Sequence, residues 1–571
     1  MKKITLLAIS LLTFLFDKAQ ITIHPGDNIQ LAVDSNPAGT SFTLTSGLYR
    51  LQDVTPKSND LFIGESGAIM NGSTLLQNWI FNGNYWVIGG QTQQGQIHGA
   101  CMTGNPGCIF PEDLYMDDKP LRHDSSLVTL GTGAWYFDYA HDSIYMTDDP
   151  TSHKMEISTA RRAFGGSADY VTVKNIIVEK YAIPAQMGAI GDQYPGRNWV
   201  IENNEVRLNH GAGINALDTA LIKGNYVHDN GQKGIGINGA GGLIENNEIS
   251  SNNFAGFDHG WDAGGIKFAV TSYLTVRNNY VHDNAGPGIW SDVYTIYTTY
   301  ESNRVEDNSD AGIFHEISYD AIIRCNTVKR NGRGYDVWAS GSQIQVAASR
   351  NVQIYNNTVE VAADAGNGIT LIQQNRDTGT YGACLVINDT IHDNEIFYLG
   401  NHGFSGAVQD WFGNPDFYSS NYFYKNIYHA PDTTQGRWSW SDKYMDWNEF
   451  SKTGQELNGS ADTNVHSAPI VFTGCNGIPL EIKQIKKTSA ISVYPNPFSD
   501  HSTLLISSGT SGICHIQITD LAGRLIYSTS ASVTANIESE ILLSLENYKS
   551  GLYLLSVENN NTVSRMKLLK K

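Results

Sequence analysis

The stretch VIENNEVRLNHGAGINALDTALIKGNYVHDNGQKGIGINGAGGLIENNEISSNN, residues 200–253, decides the fold. Asn204, Asn225 and Asn247 each stand two residues before a β-branched residue, Val206, Val227 and Ile249, and a second asparagine follows each after five residues, at Asn209, Asn230 and Asn252. Toward the C-terminus the first series continues through Asn279, Asn303, Asn326, Asn357 and Asn394, at spacings of 21, 22, 32, 24, 23, 31 and 37, and the second through Asn284, Asn308 and Asn331. Between them a Gly-Ile step recurs at Gly213-Ile214, Gly236-Ile237, Gly265-Ile266, Gly288-Ile289, Gly312-Ile313 and Gly368-Ile369. Short β-branched runs at such a period, without helical spacing, predict an all-β chain built as a right-handed parallel β-helix. The asparagines have a physical reason to keep phase: stacked coil upon coil, each amide bonds the equivalent side chain above it. A leucine-rich repeat has a similar period but needs a leucine framework that is absent here.

The longer spacings, from 247 to 279, 326 to 357 and 357 to 394, mark loops inserted into single coils. Such insertions on one side of a solenoid commonly build its binding face. Upstream, residues 31–51 and 61–73 read as the first coils, whereas 101–160, with DLYMDDKPL, GAWYFDY and DSIYMTDDP, reads as a small β insertion of hairpins. After 400 the chain turns aromatic, with Trp411, Trp438, Trp440 and Trp447, rings that cap the solenoid or stack on sugars. Capping is the preferred expectation.

At 571 residues the chain is too long for one collapsed core, and 41% hydrophobic with 17% charged residues is a folding composition. The net charge is −19, and residues 20–488 alone carry −21. That acidity argues against nucleic acid or an anionic membrane as a general partner, since both are held by basic surface.

Residues 1–19 combine Lys2 and Lys3, an apolar run from Ile4 to Phe16, and Ala19 before Gln20, which is the layout of a secretory signal and too short for a comfortable membrane span. At the other end ISVYPNPFSD (491–500), ITDLAGRLIYS (518–528), SGLYLLSVE and the closing MKLLKK predict a small β-sandwich over 489–571. This set closely resembles the C-terminal sorting domain of cargo of the type IX secretion system of Bacteroidetes. The resemblance implies the type IX machinery as a partner and a secreted or cell-surface location. Of the six cysteines, Cys101 and Cys108 are spaced to close a small loop in an oxidising compartment, and Cys325, Cys384, Cys475 and Cys514 read as isolated thiols.

Strand alternation locates candidate chemistry. With the Gly-Ile isoleucine inward, Lys267, Trp290 and Asp292, and Phe314 and Glu316 point outward. Asp292 and Glu316 then share a column on adjacent coils, about 4.8 Å apart, close to the carboxylate separation of a retaining glycosidase. Two such acids split their pKa values, leaving one protonated near neutrality. Asp292 is the candidate nucleophile and Glu316 the candidate acid/base. Asn238, Lys267 and Trp290 in the neighbouring column, Trp261 and Asp262 in the loop FDHGWD (257–262) with Asp258 and His259, and His315 are candidate substrate contacts, although alternation turns His315 inward. No cofactor is required; calcium would use the same carboxylate oxygens.

These features together resemble the right-handed β-helix, pectin-lyase-like superfamily of secreted carbohydrate-active proteins, over residues 25–480. β-Helix β-xylosidases carry an Asp and a Glu about one coil apart, as Asp292 and Glu316 are here. The resemblance implies a poly- or oligosaccharide substrate, a monomer, and an exported retaining glycoside hydrolase. A calcium-assisted polysaccharide lyase using Lys267 or an Arg as base, and a non-catalytic glycan-binding solenoid, are the alternatives.

Overall fold

The computed structural model describes residues 20–335, 338–469, 490–494, 501–507, 511–520, 524–534, 539–544, 548–559 and 562–570. The expected signal segment 1–19, the PNPFSD part of the C-terminal motif, Leu521–Gly523, Cys475 and the last lysine lie outside them. The chain forms two compact units, Met1–Glu481 and Ile482–Lys571.

The first unit is a right-handed parallel β-helix. Three sheets run its length, with 13, 13 and 12 strands among the described residues. The first sheet contains Val200–Glu202, Leu221–Lys223 and Leu243–Glu245; the second contains Glu205–Arg207, Tyr226–His228 and Glu248–Ser250. The third carries the Gly-Ile steps in Ala212–Ala216, Lys233–Ala240, Gly264–Ser272, Ile289–Asp292, Ile313–Glu316, Ser342–Ala347 and Asn367–Gln373. Inward residues stack in aliphatic columns, for example Val206, Val227, Ile249, Val281, Val305, Val328, Val359 and Ile396, all fully buried. Such columns keep water from the core with no long-range closure beyond the next coil.

The asparagine ladders fix the corners. Asn279 Oδ1 accepts from Asn247 Nδ2 and from the Asn247 amide, both at 3.0 Å, while Asn279 Nδ2 donates to Asn303 Oδ1 at 3.0 Å and to the Ile244 carbonyl at 2.9 Å. Every hydrogen-bonding position of the buried amide is thus used, as burial demands. The residue before each ladder asparagine adopts a left-handed conformation, as at Asn203, Asn246, Asn278, Ser302 and Asn356. Asparagine enters that region at lower cost than other side chains, which explains the Asn-Asn pairs. The first ladder has a polarity: its last member, Asn426, offers a donor upward, and Glu456 ends it by accepting Asn426 Nδ2 at 2.9 Å and the Tyr428 hydroxyl at 2.7 Å. The second ladder ends on Gln343, whose Oε1 accepts from Asn331 at 2.9 Å.

The recurring glycine has a steric cause. A Cβ on Gly312 would stand 2.5 Å from Val328 Cγ1 and 2.7 Å from Asn331 Nδ2. The coil that departs from the expected phase is the second, where Ile235, not Ile237, stacks between Ile214 and Ile266. The in-register step there is Gly234-Ile235, and Gly236 rather than Asn238 lies beside Lys267.

The ends are closed differently. A helix, Ile29–Ser35, buries Ile29 and Val33 over the first coil, in a stretch that the sequence suggested as part of a coil. At the far end Trp438, Trp440 and Phe450 complete the core, with Trp447 packed against it. An inserted β module runs from Ser73 to Ser158, so it begins well before 101; its two small sheets enclose Leu114, Trp135, Phe137, Ile144 and Ile157. It is anchored by buried Lys180, which bonds Asp118 and Glu156, and by His210, whose Nδ1 meets Asp113 at 3.1 Å and whose Nε2 donates to the Cys108 carbonyl at 2.9 Å. Cys101 and Cys108 form a disulfide, Cα to Cα 5.7 Å. Cys384 and Cys514 are buried free thiols, whereas Cys325 is disulfide-bonded and not the isolated thiol expected.

In the second unit, Ala490–Tyr494, His501–Ser507 and Ser539–Ser544 form one sheet, and Gly512–Asp520, Leu525–Val533, Gly551–Asn559 and Thr562–Lys570 form the other. Leu504, Ile506 and Leu543 of the first meet Ile516, Ile518, Leu555 and Leu568 of the second in one core, the expected β-sandwich.

Candidate functional site

The third sheet's outer face carries the chemistry. On it Lys267 pairs with Trp290 and Trp290 with Phe314, while Ala269 pairs with Asp292 one step on. Phe268, Ser291 and His315 face inward between these columns. His315 is fully buried: its Nε2 donates to the Tyr319 carbonyl at 3.1 Å, and its Nδ1 accepts from Ser291 Oγ at 2.7 Å and the Tyr300 hydroxyl at 3.0 Å. Burial lowers it to about 4, so the ring is neutral. His315 is a core hydrogen-bond hub and not a substrate contact.

Glu316 is buried but stands on a cavity wall. It lines a cavity of about 450 Å³ together with Asp258, His259, Trp290, Asp310, Phe314, Tyr335, Trp338, Gln345 and Arg376. Its Oε1 accepts from Arg376 Nη2 at 2.8 Å and its Oε2 from Trp290 Nε1 at 3.3 Å. Burial first, and the Asp292 charge second, raise it from 4.5 to about 7 despite Arg376. A carboxyl so placed is half protonated at neutral pH, the condition a general acid needs.

Asp292 is differently situated. Its Oδ2 is 3.1 Å from Lys267 Nζ and its Oδ1 accepts the Val293 amide at 2.8 Å. It is not among the residues lining the cavity. Lys267 is itself covered: its Nζ lies 3.3 Å over the Trp290 ring and donates to the Trp261 carbonyl at 2.7 Å. Trp290 thus lines the cavity on one side and caps the Lys267–Asp292 pair beneath. Trp290 and Phe314, stacked with centroids 5.7 Å apart, give the floor an aromatic surface.

The insertion at 253–263 overhangs this floor, but through residues other than the two singled out. Asp262 is buried and salt-bridged to buried Lys233, both carboxylate oxygens at 2.8 Å. Burial pushes its carboxyl up, and the charges of Lys233 and Lys267 more than reverse this. Trp261 packs edge-on to His98 at 5.4 Å and beside Phe257 at 6.3 Å. Both hold the loop rather than line the cavity, and Asn238 stands exposed outside it. It is Asp258 and His259 that face the cavity. The loop is pinned by the Asp258 amide on the Ala100 carbonyl and the Met102 amide on the Gly256 carbonyl, both 2.9 Å, so the disulfide loop 101–108 forms its outer support.

His259 Nδ1 is 2.7 Å from Asp310 Oδ2, and Asp310 Oδ1 accepts the Ala311 amide at 2.7 Å. The bond to Asp310 raises the His259 pKa against the opposing effect of burial. The Tyr335 ring stands edge-on to the imidazole at 4.4 Å. Tyr335, Trp338 and Arg376 come from the second and third long insertions. Sequence reasoning located those insertions but had no periodicity inside them by which to choose residues. Among the described residues no group of three or more His, Cys, Asp or Glu side chains is arranged to hold a metal ion.

Residues 192–349 match the family described as right handed beta helix region, and residues 492–571 match the secretion system C-terminal sorting domain. The sorting domain marks the chain for export to the cell surface or the medium. No helix among the described residues is long and apolar enough to cross a membrane. A stretch of 78 residues is 37% identical to the tail spike protein of Salmonella phage epsilon15, covering 12% of this chain and only 7% of the tail spike. Among solved structures, the chain is similar to the mannuronan C-5 epimerase AlgE6 A-module of Azotobacter vinelandii, with 14% identity over 77% of this chain and 94% of that one, TM-score 0.43. A mannuronic acid specific polysaccharide family 6 lyase from human gut microbiota gives 13% identity over 78% and 92%, TM-score 0.41. At these identities the likeness is one of fold.

Proposed function

We propose that the chain is an exported glycoside hydrolase acting on a poly- or oligosaccharide, with Glu316 as general acid. The observation that carries this reading is a carboxyl raised to about 7 on the wall of a ring-lined cavity of about 450 Å³. Trp290, Phe314, Tyr335 and Trp338 suit the apolar faces of sugar rings, and Gln345 and Arg376 suit their hydroxyls. A lyase using Lys267 is disfavoured, because its ammonium is enclosed by Trp261, Trp290 and Asp292.

The test incubates the protein with plant, algal and host glycans while reducing ends and the ultraviolet absorbance of unsaturated uronate are followed together. Reducing ends without that absorbance support hydrolysis, and their loss in Glu316→Gln supports the assignment. Both signals rising together would transfer the protein to the lyases.

A further inference from the structure

We propose that His259, positioned by Asp310, is the catalytic base of this site, and that glycoside cleavage therefore proceeds with inversion at the anomeric carbon. The inference rests on the hydrolase reading and deepens it.

A retaining mechanism requires a second carboxylate that can touch the anomeric carbon. Asp292 is the neighbour of Glu316 with the appropriate chemistry, yet it is paired with Lys267 and lies outside the cavity wall. Asp292 acts through Glu316, keeping that carboxyl protonated to higher pH. An inverting mechanism instead needs a base set apart from the acid, with room for water between. That role falls to His259. It is on the overhanging loop and Glu316 is on the sheet, and both line one cavity floored by Phe314 and Gln345.

The imidazole is arranged to receive a proton. Nδ1–H donates to Asp310, which fixes the tautomer and leaves the Nε2 lone pair available; Nε2 makes no hydrogen bond among the described residues. Asp310 is buried and held by the Ala311 amide, so the pair is prealigned. The charged and titratable groups that share its cavity are Asp258, Asp310, Tyr335, Glu316 and Arg376.

In the step, a water on the His259 side attacks the anomeric carbon as its proton passes to Nε2. The new carbon–oxygen bond takes the water's electron pair. The glycosidic bond breaks toward the leaving oxygen, which receives the Glu316 proton. Water is the only co-reactant, and the proton returns from imidazolium to carboxylate through solvent.

The experiment uses the full chain and the glycan it cleaves most rapidly in the panel above. Proton NMR of the product in the first minutes reads the new anomer. Inversion is expected, together with a 100- to 10,000-fold fall in kcat for His259→Asn at a KM within threefold of the parent. Azide should restore turnover to His259→Ala and give the inverted glycosyl azide, which a structural role for the ring would not produce. Asp310→Asn should move the acidic limb of the pH profile and lower kcat less than His259→Asn. Retention, or full activity in His259→Asn with an unchanged melting temperature, overturns the base assignment while leaving the hydrolase reading standing. Absence of hydrolysis by the parent across the panel overturns both.

Discussion

Replacing Glu316 by Gln should stabilise the protein, and by an amount that depends on pH. The side chain is buried and its carboxyl is held at about 7 against an ordinary 4.5. A raised carboxyl pKa means that the folded state binds the proton more tightly than the unfolded chain does. The resulting stability is fully present below about 4.5 and lost as pH rises through about 7. The difference corresponds to about 3 kcal/mol at 1.36 kcal/mol per pKa unit. Glutamine has one acceptor oxygen where glutamate has two, so it keeps the bond from Arg376 Nη2 and loses the longer one from Trp290 Nε1, but it carries no charge to desolvate. Urea unfolding of parent and E316Q at pH 5 and pH 8 is the assay. At pH 5 the unfolded carboxyl is already mostly ionised, so E316Q should lead by only about 1 kcal/mol there, and by up to about 3 kcal/mol at pH 8. Glu456 is also raised to about 7 by burial, but it is present in both proteins and cancels in the difference. Parallel pH dependence in the two proteins would refute the claim that Glu316 is a strained, functionally tuned acid.

Other perturbations probe the scaffold and the site. Asn279→Ala removes four hydrogen bonds of the ladder and leaves the buried Asn247 backbone amide without its acceptor, while Asn303 Oδ1 keeps only the Asn279 backbone amide; a loss of about 3–5 kcal/mol in denaturant unfolding is expected. Gly312→Ala places a methyl 2.5 Å from Val328 Cγ1 and should cost about 1–3 kcal/mol, read as a lowered melting temperature. Asp292→Asn removes the charge that helps raise Glu316, so the alkaline limb of the activity profile should move to lower pH; an unmoved limb would show the two groups to be uncoupled. Replacing both Cys101 and Cys108 by Ser should loosen the loop bearing His259, lowering activity and increasing amide exchange at 253–263 while the main melting transition stays in place.

The period-22 pattern determined the solenoid because every coil repeats one local solution. An aliphatic residue must face inward, a glycine must let it approach, and an amide must satisfy the corner. Asn204 through Asn394 state that solution in register, and alternation along the same strands placed Asp292 and Glu316 outward and His315 inward. Alternation has limits, however. It gave the wrong phase in the one coil where two Gly-Ile steps, at 234 and 236, follow each other, and Asn238 left the site with that shift. It also cannot tell an outward side chain from an open one: Lys267 points out of the core and is then roofed by Trp261 and Trp290.

The cavity itself was settled by tertiary structure, because it is walled by insertions that obey no repeat. FDHGWD was recognisable as an overhanging loop, but which of its side chains enter the cavity depends on the clamp that the distant disulfide loop 101–108 applies to it. That clamp spends Trp261 and Asp262 on packing and an ion pair and turns Asp258 and His259 inward to the cavity. Asp310, Tyr335 and Arg376 meet them from three other coils. Local periodicity is a property of the sequence; the elevated pKa of Glu316 is a property of what those insertions bury.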